Sequence, residues 1–546
     1  MTESWDIIVA GGGSAGCVLA GRLSAKNGLR VLLIEAGPDD TDPLIRMPKG
    51  TIKLMSDPRH TYFYQTDWNA CVPGREVETV LRGRGLGGSS SINGMIYHRG
   101  QPQDYDDWAQ LGLRNWSWQH LLPCFRGLED NVMGETEWRG RGGAIPLRVP
   151  TTLPRLAQAI IAAAQALGLP RKEEPNLPRQ WGIGPSAQNI DRQGGRVSAA
   201  RAFLPPSARR SPNLRILLDT RVDRILFDGR RAIGVVCRRD GTQQEYRASG
   251  EIVLCLGALE SPRLLQISGI GPADHLRSLG IPVIVDVPGV GANYRDHFTF
   301  LSQWRLRHHD DSENREYRGW RLARNVLRYY TLRSGPLSTA VDQLVIFPEV
   351  LPGSTGRADA ELGYGPFSLT RRPGTGQLTL EEDPGCFFTG FPLRGTSTGR
   401  VMAQSTDPAA PPSIRPNYFS TDYDRAVTVG LVRFLRALMT HTALTPYVVG
   451  ELGELAAAHT EHEIIDFMRR EGMSSYTSSG TCKMGVNGDA QAVLDDRLRV
   501  RGIAGLRVVD CSVMPTQVSA NTNGPVMALA WRAADLIRED FAHSPR

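Results

Sequence analysis

Apolar and polar positions follow two different patterns at the start of the chain. The runs 7–10 and 31–34 are short and continuously apolar, as in strands buried on both faces of a parallel sheet. Between them, residues 17–23 repeat apolar side chains at helical spacing. This order predicts a strand, a crossing helix and a second parallel strand, which together form the basic unit of an α/β fold.

The same patterns return later in the chain. Another continuous apolar run at 252–256 predicts a further buried strand. Residues 156–167 carry apolar positions at helical spacing and are followed by Gly168, which predicts a helix with a glycine stop. Residues 320–333 predict a helix with apolar side chains on one face and arginines on another. We interpret the basic face as solvated, with a site mouth for anions or contact with a membrane surface as alternatives.

The turn after the first strand carries three glycines in the spacing Gly-x-Gly-x-x-Gly. Gly11 permits a tight turn, Gly13 lets the backbone approach a pyrophosphate, and Gly16 lets helix and strand pack closely. The helix that follows presents its free N–H groups to the phosphates. Glu35 ends the second strand, where a carboxylate can accept a hydrogen bond from a ribose hydroxyl. The sequence therefore predicts an adenine dinucleotide cofactor.

Length and composition set limits on this interpretation. A chain of 546 residues exceeds a usual single core, so two domains are expected. The net charge of +6 is modest and spread along the chain, which does not indicate a nucleic-acid partner. No apolar stretch approaches the ~20 residues that span a bilayer. The eight cysteines show no metal-binding or paired spacing, so buried free thiols and a cytoplasmic location are expected.

A glycine- and serine-rich segment at 82–100 also contains Leu, Ile, Met and Tyr, which flexible linkers lack. Its small residues allow the backbone to lie against a large flat ligand. Together with the dinucleotide motif, this segment resembles the glucose–methanol–choline (GMC) family of FAD-dependent oxidoreductases. The resemblance continues at 257–271, 474–485 and 506–525 and covers most of the chain.

The resemblance implies an α/β fold with a discontinuous Rossmann-like FAD-binding domain at 1–305 and 471–546. A substrate-binding domain with an antiparallel sheet and outer helices is expected at 306–470. The implied cofactor is FAD. Its expected contacts are Gly11, Gly13, Ser14, Ala15, Gly16, Glu35, Ala36, Arg84, Leu86, Gly87, Gly88, Ser90, Asn93, Gly94, Met95, Ile96, Val222, Asp510, Cys511, Thr522, Asn523 and Pro525.

Alcohol oxidation moves a hydride from carbon to flavin N5 while the hydroxyl loses its proton, so a base and a second hydrogen-bonding group are needed. Family members usually supply a histidine four residues before a Thr-Cys element and a second histidine or asparagine later. Here the second position is Asn521, but the first is Thr477. A threonine hydroxyl is no general base at neutral pH. Asn521 and Thr477 are the predicted catalytic residues, with Thr477 in an altered role.

Three interpretations of Thr477 stay open. The substrate needs little help, the chemistry is that of a lyase or a light-driven decarboxylase, or the base comes from another residue. His297 belongs to a family element and is expected to be structural. The candidate bases are His98, His441, His459 and His462.

The favoured function is oxidation of a CH–OH group to an aldehyde or ketone. The expected partners are a small-molecule alcohol and, as electron acceptor, O2, a quinone or another carrier. A non-oxidative flavoenzyme and a flavin-binding protein without turnover are the alternatives. Some family members attach FAD covalently through a histidine at the place of Ile92, so FAD is expected to bind non-covalently. No metal site is expected.

Overall fold

The computed structural model describes residues 4–25, 28–67, 78–353, 356–371 and 378–543. Its main architecture consists of two seven-stranded sheets, each with its own hydrophobic core. The mixture of parallel strands, antiparallel strands and helices confirms the predicted α/β class. No helix among the described residues is both long and apolar enough to cross a bilayer.

The first sheet has a parallel centre and an antiparallel edge. Val31–Ile34 and Thr242–Leu254 flank Ser4–Ala10 in parallel, and Leu506–Val508 pairs with Thr242–Leu254. The central strand is buried because both of its faces are apolar. The remaining strands are the parallel Leu214–Leu217 and the antiparallel Arg231–Arg239 and Arg221–Asp228.

The helix Asn523–His543 packs on the first crossing helix, Ser14–Leu23. The Arg22 guanidinium lies 4.0 Å from the centre of the Trp531 ring and joins the two helices. The end of the chain therefore returns to its beginning. Other helices in this half are Pro43–Arg46, Thr51–Leu54, Pro102–Gln110, Trp118–Leu128, Ala199–Phe203, Pro206–Arg209, Gly257–Ile267 and Ala273–Ser278.

The second sheet is antiparallel throughout, as predicted for the substrate side. Its strands, in spatial order, are Val448–Leu452, Phe298–Leu306, Gly385–Pro392, Ala360–Gly365, Leu344–Phe347 and Gly182–Pro185, with Met473–Ser474 paired to Phe298–Leu306. Its core is shared with the helices Arg155–Ala166, Asp422–Met439 and Glu461–Glu471.

Two strands of this second sheet come from the segment assigned to 1–305 by sequence. Gly182–Pro185 forms one edge, and Phe298–Leu306 lies inside the sheet, where Phe300 pairs with Gly390. Backbone pairing therefore extends across position 305. The division into 1–305 with 471–546 and 306–470 stays a prediction about folding units.

The predicted helices are present. Arg155–Ala166 is followed by Gly168 with φ of +93°, the left-handed conformation of a glycine stop. The arginine-bearing helix is Gly319–Leu332, and its apolar face is exposed, with Trp320 at 68% and Leu327 at 65% exposure. The short two-stranded pairs are Thr61–Gln65 with Thr79–Gly83, Glu129–Asn131 with Ile145–Leu147, Ile270–Gly271 with Val285–Asp286, Leu369–Arg371 with Leu378–Leu380, and Arg400–Met402 with Ser413–Arg415.

Candidate functional site

Glu35, at the end of the second strand, ties three glycine-containing loops together. Its Oε2 accepts a hydrogen bond from Gly12 N at 2.8 Å, and its Oε1 accepts from Gly37 N at 2.9 Å and Gly85 N at 3.0 Å. Burial raises the pKa of this carboxyl, while the three N–H donors and Arg84 favour its anion. The carboxylate therefore fixes the turn that follows the first strand.

Two glycines of this turn have no room for a side chain, and the third has room. A Cβ on Gly16 would overlap the Gly11 carbonyl, and one on Gly11, where φ is +106°, would overlap the Cys255 carbonyl. A Cβ on Gly13 would meet no atom nearer than 3.9 Å. An accessible backbone at the start of a helix fits a pyrophosphate.

The glycine- and serine-rich segment folds over this turn. Gly87 N donates to Gly12 O at 2.7 Å, and a Cβ on Gly88 would lie 2.7 Å from the Gly13 Cα. Farther along, a Cβ on Gly94 would meet nothing within 4 Å. The flat ring of a flavin dinucleotide requires backbone close to the nucleotide turn and open space of the kind found at Gly94.

Arg196 anchors this segment at Asn93, a role that the sequence did not reveal. Its Nη1 donates to both the main-chain and side-chain oxygens of Asn93 at 2.7 Å, and its Nε donates to Ile45 O at 2.9 Å. Burial lowers the pKa of the guanidinium to about 9. These partners lie far away in the sequence, so no local pattern indicates them.

Asp510 and the turn after Asn521 reach the same place from the C-terminal part of the chain. Asp510 Oδ2 accepts from Gly257 N at 2.9 Å and from Ser261 Oγ at 2.6 Å. Burial raises the pKa of Asp510. Ser14 Oγ donates to Asn523 Oδ1 at 2.8 Å, so the first turns of two helices meet here.

The structure thus brings together three segments that carry most of the predicted cofactor residues. They are the strand–helix–strand unit at 11–36, the glycine- and serine-rich segment at 82–100 and the C-terminal segment at 510–525. Val222 lies two residues after Thr220, whose N–H donates to Glu35 O at 2.9 Å. The individual contacts to FAD stay a prediction. The residues within or beside the three segments are Gly11, Gly13, Ser14, Ala15, Gly16, Glu35, Ala36, Arg84, Leu86, Gly87, Gly88, Ser90, Asn93, Gly94, Met95, Ile96, Asp510, Cys511, Thr522, Asn523 and Pro525.

Thr477 is buried and bound to its own neighbours. Its Oγ1 donates to Asp296 Oδ1 at 2.8 Å and accepts from the His297 main-chain N–H at 3.1 Å. His297 Nδ1 lies 3.0 Å from the same hydroxyl, and His297 Nε2 donates to Leu393 O at 3.0 Å. Burial lowers the pKa of His297, and its ring stacks on Phe391. These contacts hold the two segments together.

Asn521 and His98 differ from Thr477 because they carry buried atoms without partners. Among the described residues, nothing hydrogen-bonds to Asn521 Oδ1 or to either ring nitrogen of His98. Glu361 Oε1 lies 3.6 Å from His98 Nδ1, and Glu361 Oε2 has no hydrogen-bond partner in the described chain. Unpartnered buried polar atoms mark a place for a ligand or for water.

The other candidate bases have different surroundings. His441 caps a short helix and accepts from Ala443 N at 3.2 Å. His459 and His462 are exposed, and His462 pairs with Asp466 at 2.9 Å. Of the four candidates, His98 alone is buried without a hydrogen-bond partner among the described residues.

Comparison with known sequences places this geometry in a family. The family models of GMC oxidoreductases match residues 5–299 and 395–530. The mitochondrial choline dehydrogenase of Homo sapiens is 36% identical over 543 residues, covering 98% of this chain and 90% of the relative. The oxygen-dependent choline dehydrogenase of Stenotrophomonas maltophilia is 36% identical over 550 residues, covering 98% and 95%.

Solved structures agree over almost the whole chain. The pyridoxine 4-oxidase from Mesorbium loti superposes with a TM-score of 0.86 at 31% identity, covering 99% of this chain and 100% of that one. A formate oxidase superposes with a TM-score of 0.89 at 25% identity and covers 99% of each chain. Motifs, sheets and both family models therefore agree, and the chain belongs to the GMC oxidoreductase family.

Proposed function

We propose that this FAD-dependent oxidoreductase converts a small polar alcohol to an aldehyde or ketone, with the reacting hydroxyl held at Asn521. The observation that supports this most directly is the buried Asn521 Oδ1, which lacks a hydrogen-bond partner in the described chain. Asn521 immediately precedes the turn that joins Ser14 and Asn523. A substrate hydroxyl at this point would satisfy the amide oxygen.

When bound, FAD supplies the acceptor for the hydride that leaves the alcohol carbon. The chain's own residues bind and orient the alcohol. Asn521 Oδ1 accepts the O–H hydrogen bond, and the amide N–H donates to the oxygen as negative charge develops on it. Thr477 keeps the Asp296 segment in place through its 2.8 Å hydrogen bond, in a positioning role.

The surroundings favour a neutral or cationic alcohol over an acid. The charged groups near His98 include Glu361, Asp342 and Lys49, of which two are acidic. Asp104 and Arg394 both hydrogen-bond to Ser519, two residues before Asn521. Lys49 already donates to Ala340 O at 2.8 Å. An anionic substrate would add a negative charge beside two carboxyl groups, which costs free energy in a buried site.

The electron acceptor is proposed to be O2, a quinone or another carrier. A relative whose name is oxygen-dependent choline dehydrogenase supports O2 as the first to test. Oxygen consumption with peroxide formation during turnover would identify an oxidase. Turnover only with an added quinone would identify a dehydrogenase.

Non-covalent attachment of FAD is proposed from Ile92. Its side chain is buried with Ile45 and Leu54 and has no group that could form a bond to the flavin ring. Acid precipitation should release all flavin into the supernatant. Flavin that stays in the protein pellet would contradict this.

A cytoplasmic location is also proposed. It is supported by seven cysteines in the described part of the chain that are all free and form no disulfide. Fractionation of cells expressing the full chain tests it.

The deciding experiment is an anaerobic absorbance scan of the purified holoenzyme against primary, benzylic, amino and acidic alcohols. Bleaching of the visible flavin band by an alcohol is expected. Photoreduction by an external donor is the control that the flavin can be reduced. If photoreduction works and no alcohol bleaches the flavin, the proposed function is wrong.

A further inference from the structure

We propose that His98 is the proton acceptor of this alcohol oxidation and that Glu361 stabilises its protonated form. This inference rests on the proposed function. It assigns to a residue of the glycine-rich segment the task that Thr477 cannot perform.

The position of His98 follows from its place between two cores. The neighbouring Tyr97 side chain is buried in the first core, whereas the His98 ring lies edge-on to Phe347 of the second sheet, 5.3 Å between ring centres. A Cβ on Gly524 would be 2.6 Å from the His98 carbonyl. The His98 main chain therefore contacts the turn after Asn521, and its ring extends to the substrate-side sheet.

The His98 ring has the surroundings of a base. The Glu361 carboxylate faces Nδ1 at 3.6 Å, so Nδ1 carries the proton of the neutral ring and Nε2 keeps its lone pair. His98 is 1% exposed and Glu361 is 4% exposed. Nε2 and Glu361 Oε2 have no hydrogen-bond partners in the described chain. Burying such atoms unpaired is costly, which indicates that a ligand or an ordered water completes the site.

Thr477 and His297 do not offer the same chemistry. The Thr477 hydroxyl donates to Asp296, and both ring nitrogens of His297 lie within hydrogen-bond distance of protein atoms. Asn521 is an amide and takes up no proton at neutral pH. His98 therefore combines burial, an available nitrogen and a carboxylate partner.

Other charged groups act on the same pair. The Asp342 carboxyl, which precedes the strand Leu344–Phe347, interacts electrostatically with Glu361, Lys49 and His98. Lys49 approaches from the short helix Pro48–Gly50 and is 5% exposed. Two carboxyl groups and one ammonium group therefore lie close to the His98 ring.

The reaction step balances as follows. The substrate hydroxyl turns its O–H from Asn521 Oδ1 toward His98 Nε2, the O–H bond breaks, and its proton forms a bond to Nε2. The electron pair of that O–H bond becomes the second C–O bond. The C–H bond breaks with both electrons, which leave as the hydride for which bound FAD would supply the acceptor in the proposed function. The imidazolium is then paired with the Glu361 carboxylate.

The test compares the pH dependence of anaerobic flavin reduction in the holoenzyme and its variants. His98→Gln should lower the limiting reduction rate by ~100-fold or more, the usual contribution of a general base. It should also remove the loss of rate at low pH, and added imidazole should restore part of the rate. His462→Gln is the matched control and should behave as the unaltered enzyme, because that ring is exposed.

Glu361→Gln sharpens the assignment. It should retain the loss of rate at low pH but move it to lower pH, because the protonated ring loses its carboxylate partner. A structural role of Glu361 would change the melting temperature without moving the pH profile. Flavin content and melting temperature are measured for every variant, and His98→Asn replaces His98→Gln if that protein loses flavin.

The outcomes separate the two proposals. If the unaltered enzyme is reduced by an alcohol and His98→Gln is reduced within threefold of its rate with the same pH profile, His98 is not the base. If no alcohol reduces the unaltered enzyme while photoreduction succeeds, the proposed function itself fails. A slow His98→Gln enzyme that imidazole does not accelerate and whose pH profile is unchanged also overturns the assignment.

Discussion

The proposed nucleotide cradle around Glu35 and the proposed reaction side around His98, Glu361 and Asn521 are built in opposite ways. In the cradle, Glu35 accepts three backbone hydrogen bonds at 2.8 to 3.0 Å, and glycines bring main chains into contact. On the reaction side, His98, Glu361 and Asn521 are each left with buried polar atoms that no described residue satisfies. In the first region the protein itself satisfies the carboxylate, and in the second the buried polar atoms have capacity for a ligand or water.

This difference separates the two tasks of the protein. A cofactor site that keeps its shape loses little entropy on binding. A reaction site must instead leave hydrogen-bonding capacity for a group whose charge changes during the reaction. Mutations in the cradle should therefore affect folding and flavin content, and mutations on the reaction side should affect rate.

Gly16→Ala should have the largest effect. Its new Cβ would overlap the Gly11 carbonyl, and backbone cannot move aside without opening the turn. We expect a loss of about 3 kcal/mol in unfolding free energy and little bound flavin, measured by denaturation and absorbance.

Two glycine variants serve as controls for Gly16→Ala. A Cβ on Gly450 meets nothing within 4 Å, so Gly450→Ala should keep both stability and flavin. Gly94→Ala has equal room in the protein itself and should reduce flavin content without lowering apoprotein stability. Equal stability losses in Gly16→Ala and Gly450→Ala would contradict the packing argument.

Asn521→Ala tests the reaction side, where we expect an effect on rate and not on stability. It removes the amide that we propose orients the alcohol, and we expect a ~100-fold slower flavin reduction, the usual cost of losing a donor at a developing oxyanion. Melting temperature and flavin content should stay unchanged, because no described residue hydrogen-bonds to Oδ1. A fall in stability with unaltered rate would show that Asn521 is structural.

Glu35→Gln should lower the free energy of unfolding by about 2 kcal/mol, because hydrogen bonds to a charged acceptor are lost. The amide would place an NH2 group against backbone donors. Chemical denaturation of the apoprotein measures this effect without flavin. An unchanged apoprotein would mean that Glu35 acts on the cofactor alone.

The smallest expected effect concerns Asp342. Burial raises the pKa of this half-buried carboxyl from 3.8 to about 6, so the folded state holds its proton more tightly than the unfolded chain. Its stabilising contribution is therefore complete below pH 4 and is lost as pH rises through 6. Asp342→Asn should raise the free energy of unfolding by about 1–2 kcal/mol at pH 7.5 and leave it unchanged at pH 4. Denaturation at both pH values measures this difference. Equal effects at both pH values would refute it.

The predictability of the two regions differs for a physical reason. The glycine turn, its helix and Glu35 lie within one short strand–helix–strand unit, so spacing alone predicted the order of these elements, but not the hydrogen bonds from Gly37 and Gly85 to Glu35. His98 was only one of four candidate histidines, because its partner Glu361 comes from a strand whose register with Phe391 is set by the second sheet. Arg196 was missed for the same reason: its hydrogen-bond acceptors lie in distant segments.

Pattern alone does not assign a short strand to a sheet or a helix face to a covered surface. The segment Gly182–Pro185 is too short to show which sheet it joins, and only pairing with Leu344–Phe347 assigns it. In Gly319–Leu332 the periodicity predicted the helix correctly, but burial falls on Asn325 and Tyr329 and not on the apolar stripe. Periodicity identifies a face without saying what covers it.

The three-way hydrogen bonding of Glu35 has a practical consequence for handling this protein. Because the carboxylate clamps three loops without help from a ligand, stripped protein should retain a competent receptor for the nucleotide half. Reconstitution with chemically altered flavins should then proceed by simple uptake, without refolding. Replacing FAD with an altered flavin would therefore change the redox potential of the protein without any change in its amino-acid sequence.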